Sequence, residues 1–474
     1  MIMQPQFKKG YLFLPMLMFS FTSCIISRNL PVPDNTLPAS YRGASFADTG
    51  SIATLSYADF FQDESMIDLI DSAVANNYDM QIALKNIEAA ALLFRQSKLS
   101  NLPALNLNIT ANSNRPSDNS LNGLTINQFA GTNHVEDYNA SATLSWEADI
   151  WNKIANQKNV AGAAYLQSEE ARKAVQTRLV SAIATGFYSL VMLDTQLAIA
   201  KKNLALNDTT LNIIRLQFNS GQVTSLAIQQ AEAQRQVAAG LVPELEQYIT
   251  IQENALSILT GVFPDAIRRQ ADLNSLAVNV GLSPGIPSEM LSLRPDVRAA
   301  ELELKKANSL VGISRANMYP SLTISASGGL NAFKASEWFN IPGSLFGIVA
   351  GGITQPVFQR RQLRTRYELA AIDREKSVLQ FRSTVLNAVG EVSDELMKIQ
   401  KLDQQYAISN SRVKIIKEGL RNANLLFKSG MANYLEVVTA QANALQSELD
   451  LTAIRTAQLN ANVGLYRTLG GGWR

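Results

Sequence analysis

The sequence predicts a mainly α-helical chain with membrane β-structure, built as a tandem repeat in which each half carries long helices and one amphipathic β-hairpin. Three observations carry that prediction. The stretches "LQFNSGQVTSLAIQQAE" and "LLFKSGMANYLEVVTAQ" place Phe218, Gly221 and Leu226 at the same spacing as Phe427, Gly430 and Leu435. The stretch from Asn76 lies on that from Leu293 at one constant offset, with Asp79 on Asp296, Ser100 on Asn317 and Pro103 on Pro320; such internal repetition dictates architecture. Finally, 153–218 contains no Pro, and its glycines are Gly162 and Gly186. An uninterrupted helix there would be roughly 100 Å long, which ordinary globular domains do not use.

The elements follow in order. Lys8 and Lys9 precede the apolar run "YLFLPMLMF", and Thr22 and Ser23 stand before Cys24. This is the layout of a secretory signal peptide over 1–23, too short for a stable membrane helix. The setting of Cys24 is similar to a bacterial lipobox, in which the Cys is acylated and becomes the first mature residue. Phe21 departs from the aliphatic residue usual there, and a plain signal peptide with an incidental Cys is the alternative. By the same resemblance, Ile25 and Ile26 in place of Asp permit sorting to the outer membrane. Residues 24–64 then form a lipid-anchored extended segment with a short helix.

The first repeat, 65–261, reads as helix 65–100, hairpin 103–150, long helix 152–218, tip 219–224 and helix 225–260. The first helix is stopped at Leu102-Pro103. In the hairpin, Leu105, Leu107, Ile109 and Ala111 alternate with Asn106, Asn108, Thr110 and Asn112, and Ala140, Ala142, Leu144 and Trp146 alternate with Ser141, Thr143, Ser145 and Glu147. Between them lies a polar loop holding Asn119, Asn122, Gly123 and Asn127. An equatorial linker spans 262–287. The second repeat, 288–474, reads as helix 288–317, hairpin 320–357, long helix 360–427, tip 428–433 and helix 434–469. Its strand "SLTISASGG" alternates cleanly, whereas the partner near 347–356 is Gly-rich and is assigned by its place in the repeat.

Strands with one oily and one Asn/Ser/Thr face suit either a soluble core or a lipid-facing barrel with a wet lumen. No uninterrupted apolar run of about eighteen residues follows the leader, so the expectation is a barrel and no membrane helix. Four strands cannot close around a channel, because the smallest closed barrels have about eight; three copies would supply twelve. Half-length helices stacked beside one long helix, twice per chain, would likewise give three copies a twelve-column helical barrel.

Composition narrows function. With 42 basic and 40 acidic residues and a net charge of +2, the chain has no electrostatic case for nucleic acid. One Cys and one His, His134 in the loop-like "GTNHVEDY", cannot build a Cys/His metal site within one subunit. No catalytic constellation or nucleotide loop is present, and neither enzyme activity nor a cofactor is expected.

With "WEADIW" (146–151), "LRPDVRAAE", "SGMANYLEVVTAQ" and "LYRTLGGGW" (465–473), in this order and within a duplicated chain, the sequence resembles the TolC-like outer-membrane efflux proteins, in their OprM-like (NodT-type) lipoprotein branch. The resemblance covers essentially the mature chain. It implies a homotrimeric duct: a 12-stranded β-barrel in outer-membrane lipid, a 12-helix α-barrel crossing the periplasm, and a constriction at the periplasmic tips. It implies passive export of small molecules such as drugs, with a periplasmic adaptor protein and an inner-membrane RND-type pump as partners, and palmitate on Cys24. Gly221 and Gly430 are where the helices reverse, and Phe218, Ser225, Leu226, Phe427, Asn433 and Tyr434 belong to the tips an adaptor would grip. Leu435 and Glu436 fall at the constriction, where relatives carry an acidic ring; three copies of Glu436 would repel anions and attract cations. Thr439 stands where a second acid is common, and Ala432 where some relatives have a basic residue that ties the tips shut. A solvated surface carboxylate is the plain alternative for Glu436. The same duct serving metal-ion efflux or type I protein secretion, and a non-conducting structural lipoprotein, are the rival functions.

Overall fold

The computed structural model describes residues 37–42, 51–276 and 283–474. The expected leader over 1–23 and the lipidation site Cys24 lie outside the described residues. The elements are α1 (Tyr57–Phe60), α2 (Glu64–Asn76), α3 (Tyr78–Leu99), β1 (Ala104–Asn114), α4 (Leu121–Ala130), β2 (Val135–Ala148), α5 (Lys153–Asn219), α6 (Ser225–Leu259), α7 (Pro287–Leu293), α8 (Pro295–Ala316), β3 (Ser321–Ala332), β4 (Leu345–Thr354), α9 (Gln362–Lys428) and α10 (Tyr434–Thr468). The duplication is visible in the helix lengths: α3 and α8 have 22 residues each, α5 and α9 have 67, and α6 and α10 have 35. The chain divides into two compact units.

One unit, Leu99–Gln157 with Val311–Glu368, holds the sheet. Its order is β1-β2-β3-β4, all antiparallel, so both β1 and β4 are free edges. The register sets Leu105 beside Leu144, Ala326 and Val349 on one face, and Asn106 beside Thr143, Ser327 and Ile348 on the other. The polar face is knitted by side chains: Asn108 donates to Thr143 at 3.5 Å, and the Thr143 and Ser327 hydroxyls lie 3.3 Å apart. The loop after β1 differs from expectation. It contains the helix α4, which starts because the Ser120 hydroxyl accepts from the Gly123 N–H at 3.1 Å and stops because Gly131 takes φ 66°.

The other unit, with 37–42, 51–98, 158–276, 283–310 and 369–474 as its described residues, is helical. The single helices expected over 65–100 and 288–317 are each broken in two. Asn77 interrupts the first: its side chain accepts from the Met80 N–H at 3.1 Å, capping α3, and donates to the Leu259 carbonyl at 3.0 Å, capping the end of α6. Arg294 interrupts the second, because the residue before Pro295 is driven out of helical geometry. Its guanidinium donates to the Thr468 carbonyl at 2.8 Å, closing the end of α10, and pairs with Asp296 at 2.7 Å and Glu391 at 2.9 Å. Each repeat therefore sets two half-length helices end to end at a polar joint.

The terminal "LYRTLGGGW" motif locks the second joint. Gly470, at φ 95°, passes Leu293 so closely that a Cβ would sit 2.7 Å from its carbonyl oxygen. Gly471 lies against the Tyr466 ring, and the Trp473 indole donates to the Leu293 carbonyl at 3.3 Å. Tyr466 in turn stacks on Phe60 with centroids 4.2 Å apart and donates to the Leu55 carbonyl at 2.8 Å. Around it a core of α2, α5, α9 and α10 side chains includes Met66, Ile70, Ile183, Phe187, Leu190, Val392 and Leu459. Of the linker over 262–287, residues 277–282 lie outside the described residues. Before them, Arg269 straps the linker down through a two-pronged pair with Asp194 at 2.5 and 2.8 Å and a contact with Glu253 at 2.5 Å.

The absence of a membrane-length apolar helix needs correcting. An eighteen-residue window of α5 is apolar enough, by length and composition only, to cross a membrane. Periodic polar residues broke the uninterrupted run sought in the sequence but not the average. About a third of that window is buried, and Ile183, Ala184, Phe187, Leu190 and Val191 are among the core residues of α5.

Candidate functional site

The helical hairpin tips are the candidate site, and both are built alike. α5 ends in a Schellman motif in which the Gly221 N–H donates to the Phe218 carbonyl at 2.9 Å and the Gln222 N–H to the Gln217 carbonyl at 2.9 Å. α9 repeats it: the Gly430 N–H reaches Phe427 at 3.1 Å and the Met431 N–H reaches Leu426 at 2.8 Å. This closure requires a left-handed residue, and Gly221 and Gly430 take φ 72° and 73°. The next helices start differently. Asn433 caps α10 by accepting from the Leu435 N–H at 3.2 Å, whereas the Thr224 side chain makes no cap before Ser225.

No heavy atom outside the turn lies within 4 Å of a Cβ built on Gly430. Gly430→Ala is therefore expected to cost only the left-handed backbone term, about 1–2 kcal/mol. Equilibrium unfolding in mild detergent checks this, and a loss several times larger would mean the turn has a close neighbour.

The two hairpins share a small core of Leu211 and Ile214 from α5, Ala227 and Ala231 from α6, Phe427 from α9 and Val437 from α10. Here the two equivalent phenylalanines part company. Phe427 is 4% exposed and Phe218 is 41% exposed, so of the two phenylalanines only Phe427 packs into that core. Tyr434 donates to the Gln230 side chain, joining one hairpin to the other. The buried Gln441 side chain donates to the Thr210 hydroxyl at 2.8 Å and its backbone carbonyl accepts from the Asn203 side chain at 3.3 Å, tying α5 to α10. Surface ion pairs zip each hairpin, Arg215 with Glu232 at 2.9 Å and Arg412 with Asp450 at 3.5 Å, and add little individually.

Leu435 and Glu436 sit together on the first turn of α10, both exposed. The Glu436 carboxylate has no hydrogen bond or ion pair among the described residues and lies where the helix dipole favours an anion. Leu226 is exposed at 54% and Leu435 at 52%, so each hairpin presents an uncovered leucine at the same place in its repeat. Sequence reading missed the Tyr434–Gln230 bond and the buried Asn203–Gln441–Thr210 layer. No local pattern marks a polar side chain as buried, although the recurrence of Asn and Gln on otherwise small-residue faces of α5 and α10 was a usable sign. Among the described residues no group of three or more His, Cys, Asp or Glu is placed to hold a metal ion.

A family model described as "Outer membrane efflux protein" matches the chain twice, over 69–262 and over 286–471. The chain belongs to the outer membrane efflux protein family. The two matches reproduce the duplication seen in the helix lengths. The chain is 28% identical over 434 residues to the probable outer membrane lipoprotein SilC of Salmonella typhimurium, covering 90% of this chain and 89% of that one. It is 28% identical over 454 residues to the solvent efflux pump outer membrane protein SrpC of Pseudomonas putida, covering 93% and 95%. A crystal structure of a membrane protein from Pseudomonas aeruginosa superposes with a TM-score of 0.85 at 26% identity, covering 94% of this chain and all of that one. The outer-membrane efflux family is one of channels, and this member is an outer-membrane protein with the family's mostly helical fold and its few strands.

Proposed function

We propose that three copies of this outer membrane efflux protein close into a 12-stranded barrel continued by a 12-helix α-barrel, and that the trimer is the passive exit duct of a tripartite pump. The observation that carries the reading is the pair of free edges on a four-stranded sheet with one apolar face and an opposite face that is polar along β1, β2 and β3. Unpaired strand edges are not tolerated in lipid, so β4 of one copy must meet β1 of the next until the ring closes. Hairpin tips with Phe218, Gly221, Ser225, Leu226, Gly430, Asn433 and Tyr434, and with Phe427 packed beneath them, are the surface offered to a periplasmic adaptor, which links the duct to an RND-type inner-membrane pump. Leu435 and Glu436 form the gate, and Cys24 carries the lipid anchor. Small organic molecules are the favoured cargo, in line with relatives named for solvent efflux; metal ions and secreted proteins remain the rivals.

Planar-bilayer conductance of the purified protein tests this, beside a variant carrying Leu435→Ala and Glu436→Ala. Small, cation-preferring currents are expected, growing and losing cation preference in the variant. Silence from both, with a trimer confirmed in solution, would leave a structural lipoprotein as the better account.

A further inference from the structure

The two β-to-helix turns at the foot of the sheet occupy equivalent places in the repeat but are finished in opposite ways. In the first, between β2 and α5, every strong group is used internally. The Asp149 carboxylate accepts from the N–H groups of Ile154 and Ala155 at 3.0 and 2.8 Å, and Lys153 pairs with Glu147 at 2.9 Å. The Trp151 indole donates to the Pro320 carbonyl at 2.7 Å, its ring 4.9 Å from Tyr319. In the second, between β4 and α9, the sequence is "QPVFQRRQLRTRY", four arginines without a carboxylate. Arg360 and Arg361 both take left-handed backbone, φ 49° and 63°. Arg361 and Arg364 share Glu368 at 3.4 and 3.0 Å while staying about two-thirds exposed, and Arg360 and Arg366 have no partner among the described residues.

Beside these cations lies a groove of about 230 Å³ walled by Met318, Pro356, Val357, Leu363, Arg361 and Arg364. Val357, in its wall, continues the alternation by which Val349 and Ile353 share one face of β4, at 76%, 81% and 74% exposure, and the adjacent Phe358 is 96% exposed. The first turn of α9 adds unpaired N–H groups at its positive end. We infer that this groove binds an anionic glycerophospholipid, its phosphodiester held by Arg361 and Arg364 and its acyl chains lying along Val357 and Phe358. The inference rests on the barrel reading above, which turns the apolar face of the sheet toward lipid. In that ring the strand set against β4 is β1 of the next copy, and its foot over 99–108 holds no acidic residue to neutralise the arginines. Charge complementarity therefore favours lipid over a neighbouring subunit.

Native mass spectrometry of the purified full-length protein, titrated with phosphatidylglycerol or phosphatidylcholine of the same acyl chains, tests it. The parent is expected to retain phosphatidylglycerol in preference, and Arg361→Gln with Arg364→Gln to weaken that retention about 25-fold, on the order of fivefold per arginine. Excess inorganic phosphate is expected to leave the lipid bound, because the chains contribute; displacement by phosphate would reduce the site to a simple anion site. Equal retention of the two lipids, or unchanged retention in the variant, overturns the proposal. So does a double variant that no longer assembles, since the arginines would then serve a contact between copies. The same spectra read subunit number, so a parent that binds the anionic lipid as a monomer would sink the trimeric duct and spare the lipid site.

Discussion

Gly470→Ala is expected to destabilise the helical unit by about 3–5 kcal/mol, far more than the same change at Gly430. Both glycines are left-handed, at φ 95° and 73°. They differ in what surrounds them. A Cβ on Gly470 would sit 2.7 Å from the Leu293 carbonyl oxygen and 2.8 Å from its carbon, backbone atoms held in place by the Trp473 indole on the same carbonyl and by Arg294 beside it. Relief of the clash would pull α10 away from the start of α8 and loosen Tyr466 from Phe60. Equilibrium unfolding in mild detergent, followed by far-ultraviolet circular dichroism, measures the difference. Equal losses for the two variants would show that the joint yields freely and that the terminal glycine run does not lock it.

Phe427→Ala is expected to open the tips, while Phe218→Ala leaves them nearly unchanged. Truncating a buried Phe costs about 3–5 kcal/mol, equivalent to amide exchange faster by roughly two to four orders of magnitude in a locally opening unit. The exchange to follow is that of Leu211 and Ile214, which share a core with Phe427. Phe218, being 41% exposed, has less contact to lose, and a change of about tenfold or less is expected. If both variants accelerate exchange equally, the tips are packed symmetrically and the asymmetry between the repeats is wrong. If neither does, the tip core is held by the polar ties of Tyr434 and Gln441.

These two predictions mark where sequence reading stopped. Phe218 and Phe427 occupy the same place in the same motif, and nothing within four residues of either separates a packed ring from a half-exposed one. The difference arises from how α5, α6, α9 and α10 converge, with Ala227, Ala231 and Val437 gathered around Phe427. Likewise "LYRTLGGGW" was legible as a family mark, but its three glycines acquire reasons only when Leu293 and the Tyr466 ring are set against them.

The sequence by itself determined the duplication, the helix and strand types, the two hairpin turns and the family, because each is written in local periodicity, in Pro and Gly placement, or in a motif repeated at constant spacing. Tertiary structure decided how the joints at Asn77 and Arg294 are closed, the choice of Phe427 over Phe218, and the arginine groove beside β4, whereas the helix in the loop after β1 rests on the local Ser120 cap and Gly131. The first three each depend on what lies opposite a residue across the fold: the Leu259 and Thr468 carbonyls for the two joints, the converging helix ends for the tip, and Met318 brought against 355–364 for the groove. A pattern along the chain records which way a side chain leaves the backbone; only packing decides what it meets.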